Sequence, residues 1–114
     1  MRSPDPLRIT VEPLEDARLV RVSGELDLTS APALKSELDA ARDNEATAVL
    51  DLSGVSFIDS TGLHLLLEAS RSSATNGWAF FIVRPSEAVE RLIELSRTAD
   101  LLTLVAPGRE RVLG

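Results

Sequence analysis

Asp59, Ser60 and Thr61 put a carboxylate and two hydroxyls in consecutive positions, just after an apolar, partly β-branched run and just before Leu63, Leu66, Leu67 and Ser70. That last set has the i, i+3, i+4, i+7 spacing of one helix face, so the polar triplet falls at a strand-to-helix turn. Asp59 and Ser60 occupy cap positions, where a side-chain oxygen accepts from backbone amides that lack partners. The positive end of the helix dipole faces outward there and tolerates a phosphate. Two chemistries fit the pattern: capping of the helix, and presentation of Ser60 as a reactive or modifiable hydroxyl. On spacing alone, capping is the simpler reading.

A nucleophilic serine needs a base, and His64, one turn further on, is the single histidine of the chain. No acidic residue follows to orient it, and the strand-to-helix turn lacks the G-x-S-x-G elbow of hydrolases, which argues against a serine hydrolase. His64 is expected to be a solvated surface residue. One histidine and no cysteine cannot build a metal site, and no G-x-x-x-x-G-K loop is present to hold a nucleotide. No metal or cofactor is therefore expected.

The elements that must position this turn follow from the remaining pattern. Leu7 to Val11 and Arg18 to Val22 alternate as strands and pair across a turn at Leu14 to Ala17, with Pro13 ending the first. A helix starts at Thr29 or Ser30, with Pro32 tolerated in its first turn and Ala33, Leu34, Leu38 and Ala41 on its buried face. A third strand spans about Ala48 to Leu52, and the helix after Ser60 frays toward its stop at Gly77. Trp78 to Val83 reads as a strand covered on both faces. Pro85-Ser86 starts a third helix with Val89, Leu92, Ile93 and Ser96 on one side, and Leu101 to Val105 makes the last strand. The tail from Pro107 to Gly114 is charged and expected to be loosely ordered.

This order, β-β-α-β-α-β-α-β, predicts an α/β fold with a mixed, mainly parallel sheet. Right-handed crossovers collect the loops Asp27 to Thr29, Ser56 to Gly62 and Arg84 to Ser86 at the carboxyl edge of the strands, where open α/β sheets bind ligands. Asp27 and Ser60 become neighbours there. Asp27 is either a former of its own turn or a contact for a partner, and Asp59 has the same two readings. Gly62 allows a close backbone approach or an easy first turn. Leu65 lies about 200° around the helix from Leu63, off the core stripe, and is either a candidate apolar contact or covered by a neighbouring helix.

At 114 residues the chain fits one domain over residues 1–114, with a core at about 7–105. A 44% hydrophobic fraction with three Phe, one Trp and no Tyr predicts an aliphatic core. The net charge of −6 argues against a nucleic-acid partner, which needs a basic face. The start, Met1 to Pro6, has the form of neither a signal nor an anchor, and no run approaches the ~18 apolar residues of a spanning helix. A cytoplasmic monomer without direct membrane contact is expected.

Two segments carry a resemblance: Gly24-Glu25-Leu26-Asp27-Leu28-Thr29-Ser30-Ala31-Pro32-Ala33-Leu34, and Leu50 through Leu63 with its Asp59-Ser60-Thr61-Gly62 core. Together they resemble the anti-sigma factor antagonists of the STAS domain family, over nearly the whole span from Leu7 to Val105. The resemblance implies a regulatory module and not an enzyme. Its unphosphorylated form would bind an anti-sigma factor with serine kinase activity and release the sigma factor; phosphorylation at Ser60, or less favourably Thr61, would end the interaction, and a protein phosphatase would restore it. Asp27, Thr29, Asp59, Thr61, Gly62 and Leu65 would form the partner-binding surface. A STAS subunit regulating a membrane transporter is the alternative within the same fold. The chain departs from the family pattern at His64, where a small residue is common, and at Ser96-Arg97-Thr98-Ala99, which lacks a helix-ending glycine.

Overall fold

The computed structural model describes residues 5–44 and 46–105. The chain opens on a hairpin, β1 (Arg8–Leu14) and β2 (Ala17–Leu26), with Leu14 paired to Ala17 around the turn Glu15-Asp16. Asp16 is left-handed (φ 62°), a conformation that Asp tolerates because its short side chain can bond locally. Pro13 does not end β1; it lies inside it, opposite Arg18. β1 is the edge of the sheet, where a proline's missing N–H costs no ladder bond.

The remaining elements are α1 (Ala31–Asp43), β3 (Thr47–Ile58), α2 (Ser60–Thr75), β4 (Ala79–Val83), α3 (Glu87–Ser96), a 3-10 turn (Ala99–Leu101) and β5 (Leu104–Val105). This is the predicted α/β order. The sheet runs β1-β2-β3-β4-β5, antiparallel at the hairpin and parallel at every other step. Each parallel step moves one strand in the same direction, so right-handed crossovers bring all three helices to one face. The larger core bears this out, joining Val20, Leu50 and Ile82 of the strands to Leu34, Leu66 and Ile93 of the helices. Leu19, Val49 and Val83, at the alternate strand positions, form a smaller cluster on the opposite face.

Several boundaries differ from the sequence reading. Ala33 is exposed, and Ala31 takes its place on the buried face of α1 with Leu34, Leu38 and Ala41. On α2 the buried stripe is Gly62, Leu63, Leu66 and Ala69, leaving Leu67 and Ser70 half-buried. Ser96 is exposed and Leu92 half-buried on α3. Trp78 is buried but precedes β4, and β5 is shorter than expected because a 3-10 turn takes up Leu101. The expected loose tail, Pro107 to Gly114, lies outside the described residues.

β3 continues past Leu52 to Ile58, and its 12 residues pair with the 10 of β2 through two register shifts. Each shift inserts an extra residue in β3, and such bulges re-aim the strand end. Buried Asp51 holds the first bulge, its Oδ1 accepting from the Ser53 amide at 2.9 Å while Oδ2 faces Arg21 Nε at 3.8 Å. Gly24 marks the second. It has φ 93°, and a Cβ there would lie 2.2 Å from the Pro6 carbonyl oxygen. The segment held over it is tied at both sides: the Asp5 carbonyl accepts from the Glu25 amide at 2.9 Å, and Asp5 Oδ2 from the Ser56 hydroxyl at 2.6 Å.

Without a glycine to end α3, Arg97 itself takes the left-handed conformation (φ 58°). A side chain there carries a steric cost that glycine escapes. Arg97→Gly is expected to stabilise the domain by about 0.5–1 kcal/mol. Urea denaturation checks this, and an unchanged or lower midpoint refutes it.

Candidate functional site

β2 and β3 end side by side, Leu26 opposite Ile58, and the Asp59 amide donates to the Leu26 carbonyl at 3.3 Å. The two turns that follow therefore share one edge, as the sequence predicts for Asp27 and Ser60. In the first turn Asp27 Oδ1 accepts from the Thr29 hydroxyl at 2.9 Å and from the Thr29 and Ser30 amides, each at 3.1 Å. Its backbone carbonyl takes the Ala31 amide at 2.8 Å. Neither Thr29 nor Ser30 caps α1 with its side chain; Asp27 closes the turn instead, and the Ser30 hydroxyl donates to the Glu25 carbonyl at 2.7 Å. Asp27 thus forms its own turn.

The Thr29 hydroxyl, and after it the bonds from Ser30, hold the Asp27 carboxyl below its ordinary value of 3.8. A depressed carboxyl adds stability above its unfolded value and loses it as pH falls through the folded one. This turn is accordingly intact at neutral pH and weakened only in acid below about 3.8.

In the second turn the cap falls on Asp59 and not on Ser60. Asp59 is the N-cap of α2, its carboxylate accepting from the Gly62 amide at 3.0 Å. Ser60 is the first residue of the helix, exposed, and its hydroxyl makes no hydrogen bond to the described residues. Because Asp59 supplies the cap bond, to the Gly62 amide alone, the neighbouring Ser60 hydroxyl is not used in capping. Thr61 is half-buried, and Gly62 is buried beneath the turn. A Cβ on Gly62 would come within 2.9 Å of both the Leu26 carbonyl oxygen and Ile58 Cγ1, so this glycine sets how closely α2 docks on β2 and β3. Replacing the cap, Asp59→Ala, is expected to cost about 1 kcal/mol and to leave the Ser60 hydroxyl exposed. Equilibrium unfolding measures it; no loss would mean that the cap bond contributes nothing.

His64 turns toward Glu68, with Nε2 3.7 Å from Oε1, and no hydrogen bond links it to Ser60. Glu68 is in turn bonded to Arg71, which lowers its carboxyl and raises the guanidinium. One expectation fails. The loop Arg84 to Ser86 does not join this edge, because β4 stops pairing at Val83 opposite Asp51 while β3 goes on to Ile58; Ser86 instead borders a depression with Val55 and Ser56. Leu65 is half-buried and packs against the main core, because α1 lies alongside α2. The sequence reading also passed over Leu28, which is 70% exposed on the first turn. Its signal was a leucine inside a polar turn, between Asp27 and Thr29.

The model of the STAS domain matches residues 8–109. The anti-sigma-F factor antagonist RsfB of Mycobacterium tuberculosis is 35% identical over 120 residues, which cover 96% of this chain and 98% of that one. Among solved structures, an anti-sigma factor antagonist from Mycobacterium paratuberculosis superposes with a TM-score of 0.82 at 28% identity, over 98% of this chain and 96% of that one. The Bacillus cell fate determinant SpoIIAA in its phosphorylated form shares the fold, with a TM-score of 0.71 at 19% identity, over 92% and 96% of the two chains. With its hairpin-led parallel sheet and its capped serine turn after β3, and with a family match spanning nearly its whole length, this chain belongs to the STAS domain family.

Proposed function

We propose that the chain is an anti-sigma factor antagonist controlled by partner switching. Its unphosphorylated form binds a kinase-type anti-sigma factor in the cytoplasm and frees the sigma factor; phosphorylation of Ser60 ends the complex, and a protein phosphatase reverses it. The observation that carries this is the exposed Ser60 hydroxyl, without a hydrogen bond among the described residues, on the first turn of a helix that Asp59 already caps. A phosphate there meets backbone amides and the positive end of the α2 dipole, so the domain can hold it. The relatives named as antagonists of anti-sigma factors support the same reading. On this reading the chain acts as a regulator and not as an enzyme, as do the relatives named for antagonism of anti-sigma factors. Nucleotide, magnesium and phosphoryl transfer belong to the kinase. Ser60 is the acceptor in preference to half-buried Thr61, and Asp27, Thr29, Asp59, Thr61 and Leu65 frame the docking surface, with Gly62 supporting it from below.

The test is to incubate the protein with its cognate kinase-type anti-sigma factor and labelled ATP, and to locate the phosphate by mass spectrometry. One phosphate on Ser60, and none on Ser60→Ala, is the expected result. Label entering Ser60→Ala at the wild-type level overturns the assignment.

A further inference from the structure

A groove of about 380 Å³ runs between α1 and α2 and opens at the Ser60 edge. Leu28 and Thr61 form its mouth, Pro32 and Leu65 its walls, and Ser72 and Trp78 its inner end. From Thr61 to Ser72 the helix rises about 16 Å at 1.5 Å per residue, or about three turns. Leu28, at the mouth, is 70% exposed. Among the described residues the other large apolar side chains left in solvent belong elsewhere: Leu95 lies in the last turn of α3, Leu104 lies in β5, and the Leu101 carbonyl accepts from Ser70 far along α2.

The charges along the groove are engaged with one another. Lys35 and Arg42 both reach Asp39, at 2.8 and 3.4 Å, and His64 and Arg71 both meet Glu68. A charged occupant would have to break these pairs, whereas an aliphatic one would bury the walls and leave them intact. The Ser60 turn offers hydroxyls and carboxylates, which give specificity and a switch but little affinity. Binding energy concentrates instead in buried apolar anchors, and the groove joins the turn directly through Leu28 and Thr61. Resting on the reading of Ser60 above, we infer that the α1/α2 groove receives a helix of the kinase-type partner, about three turns long, which lays aliphatic side chains against Leu28, Pro32 and Leu65 while the partner's active site faces Ser60.

Trp78 is the single tryptophan and lies at the inner end of the groove, 6% exposed, so a 5-fluorotryptophan label gives one ¹⁹F resonance that reports on occupancy. The kinase is added without ATP to labelled wild type, to Leu28→Glu and to Ser60→Asp. Leu28 is a surface residue, so Leu28→Glu is expected to stay folded, which circular dichroism checks. The inference expects the Trp78 resonance of the wild type to shift on binding and Leu28→Glu to bind at least tenfold more weakly. It is overturned if Leu28→Glu binds like the wild type, or if the resonance does not move when the complex forms. In either case loss of binding by Ser60→Asp leaves the Ser60 reading standing. Wild-type affinity in Ser60→Asp overturns the Ser60 reading itself, and a wild type that does not bind overturns both.

Discussion

Ser60→Asp is expected to fold like the wild type and to bind the kinase-type partner at least a hundredfold more weakly, while Ser60→Ala binds constitutively. The two outcomes separate because the fold and the interface meet the same charge differently. Within the domain, a negative group on the first turn of α2 sits among helix amides and near the positive dipole end, a placement worth about 0.3–1 kcal/mol in its favour. At the interface the same group joins Asp27 and Asp59 on one edge, where a partner shaped for a hydroxyl must bury an unpaired charge. That cost reaches 2–5 kcal/mol, and a hundredfold loss corresponds to about 2.7 kcal/mol. Phosphate carries about −1.5 to −2 charges and more bulk, so the phosphorylated protein should bind more weakly still. Isothermal titration against the kinase, with circular dichroism for the fold, measures both arms. Equal affinity for the phosphorylated and unphosphorylated forms would end the switching reading.

How much of this was legible in the sequence depended on whether a feature is local. The strand and helix order and the hairpin came through because each rests on a short run of alternating or helically spaced residues. So did Leu34, Leu38 and Ala41 as one face of α1. The continuation of β3 did not come through, because Ser53, Gly54 and Ser56 break its apolar pattern; the pairing with β2 and the Asp51 bond to Ser53 hold it extended. Which of the two readings of Leu65 holds was not legible for a similar reason. Its angle on α2 is correct, but the periodicity of one helix says nothing of the second helix beside it. In the site, the cluster Asp59-Ser60-Thr61 was legible as a cap or an acceptor, yet spacing could not assign the roles. The Asp59 bond to the Gly62 amide assigns the cap to Asp59. Asp27 closing its own turn likewise depends on the contacts of Thr29 and Ser30, which no pattern of residue types specifies.

Gly62→Val is expected to cost about 3 kcal/mol and to weaken partner binding beyond what that loss of stability explains. Glycine inside a helix is ordinarily a penalty of about 1 kcal/mol against alanine, so on propensity alone a side chain here should help. Packing decides otherwise. The first added carbon would stand 2.9 Å from the Leu26 carbonyl oxygen, which is backbone and cannot rotate away, and 2.9 Å from Ile58 Cγ1. The Leu26 carbonyl also receives the Asp59 amide, so displacing it loosens the link between the two turns. Valine adds two methyl groups to that carbon, and α2 must then lift from the ends of β2 and β3. Such a shift carries Asp59 and Ser60 away from Asp27, which is why binding should fall in the fraction that remains folded. Urea unfolding gives the stability, and titration at a temperature where both proteins are folded gives the affinity. A stable Gly62→Val variant would show that α2 does not depend on close approach at this glycine, and normal affinity would show that the relative placement of the two turns is not what the partner reads.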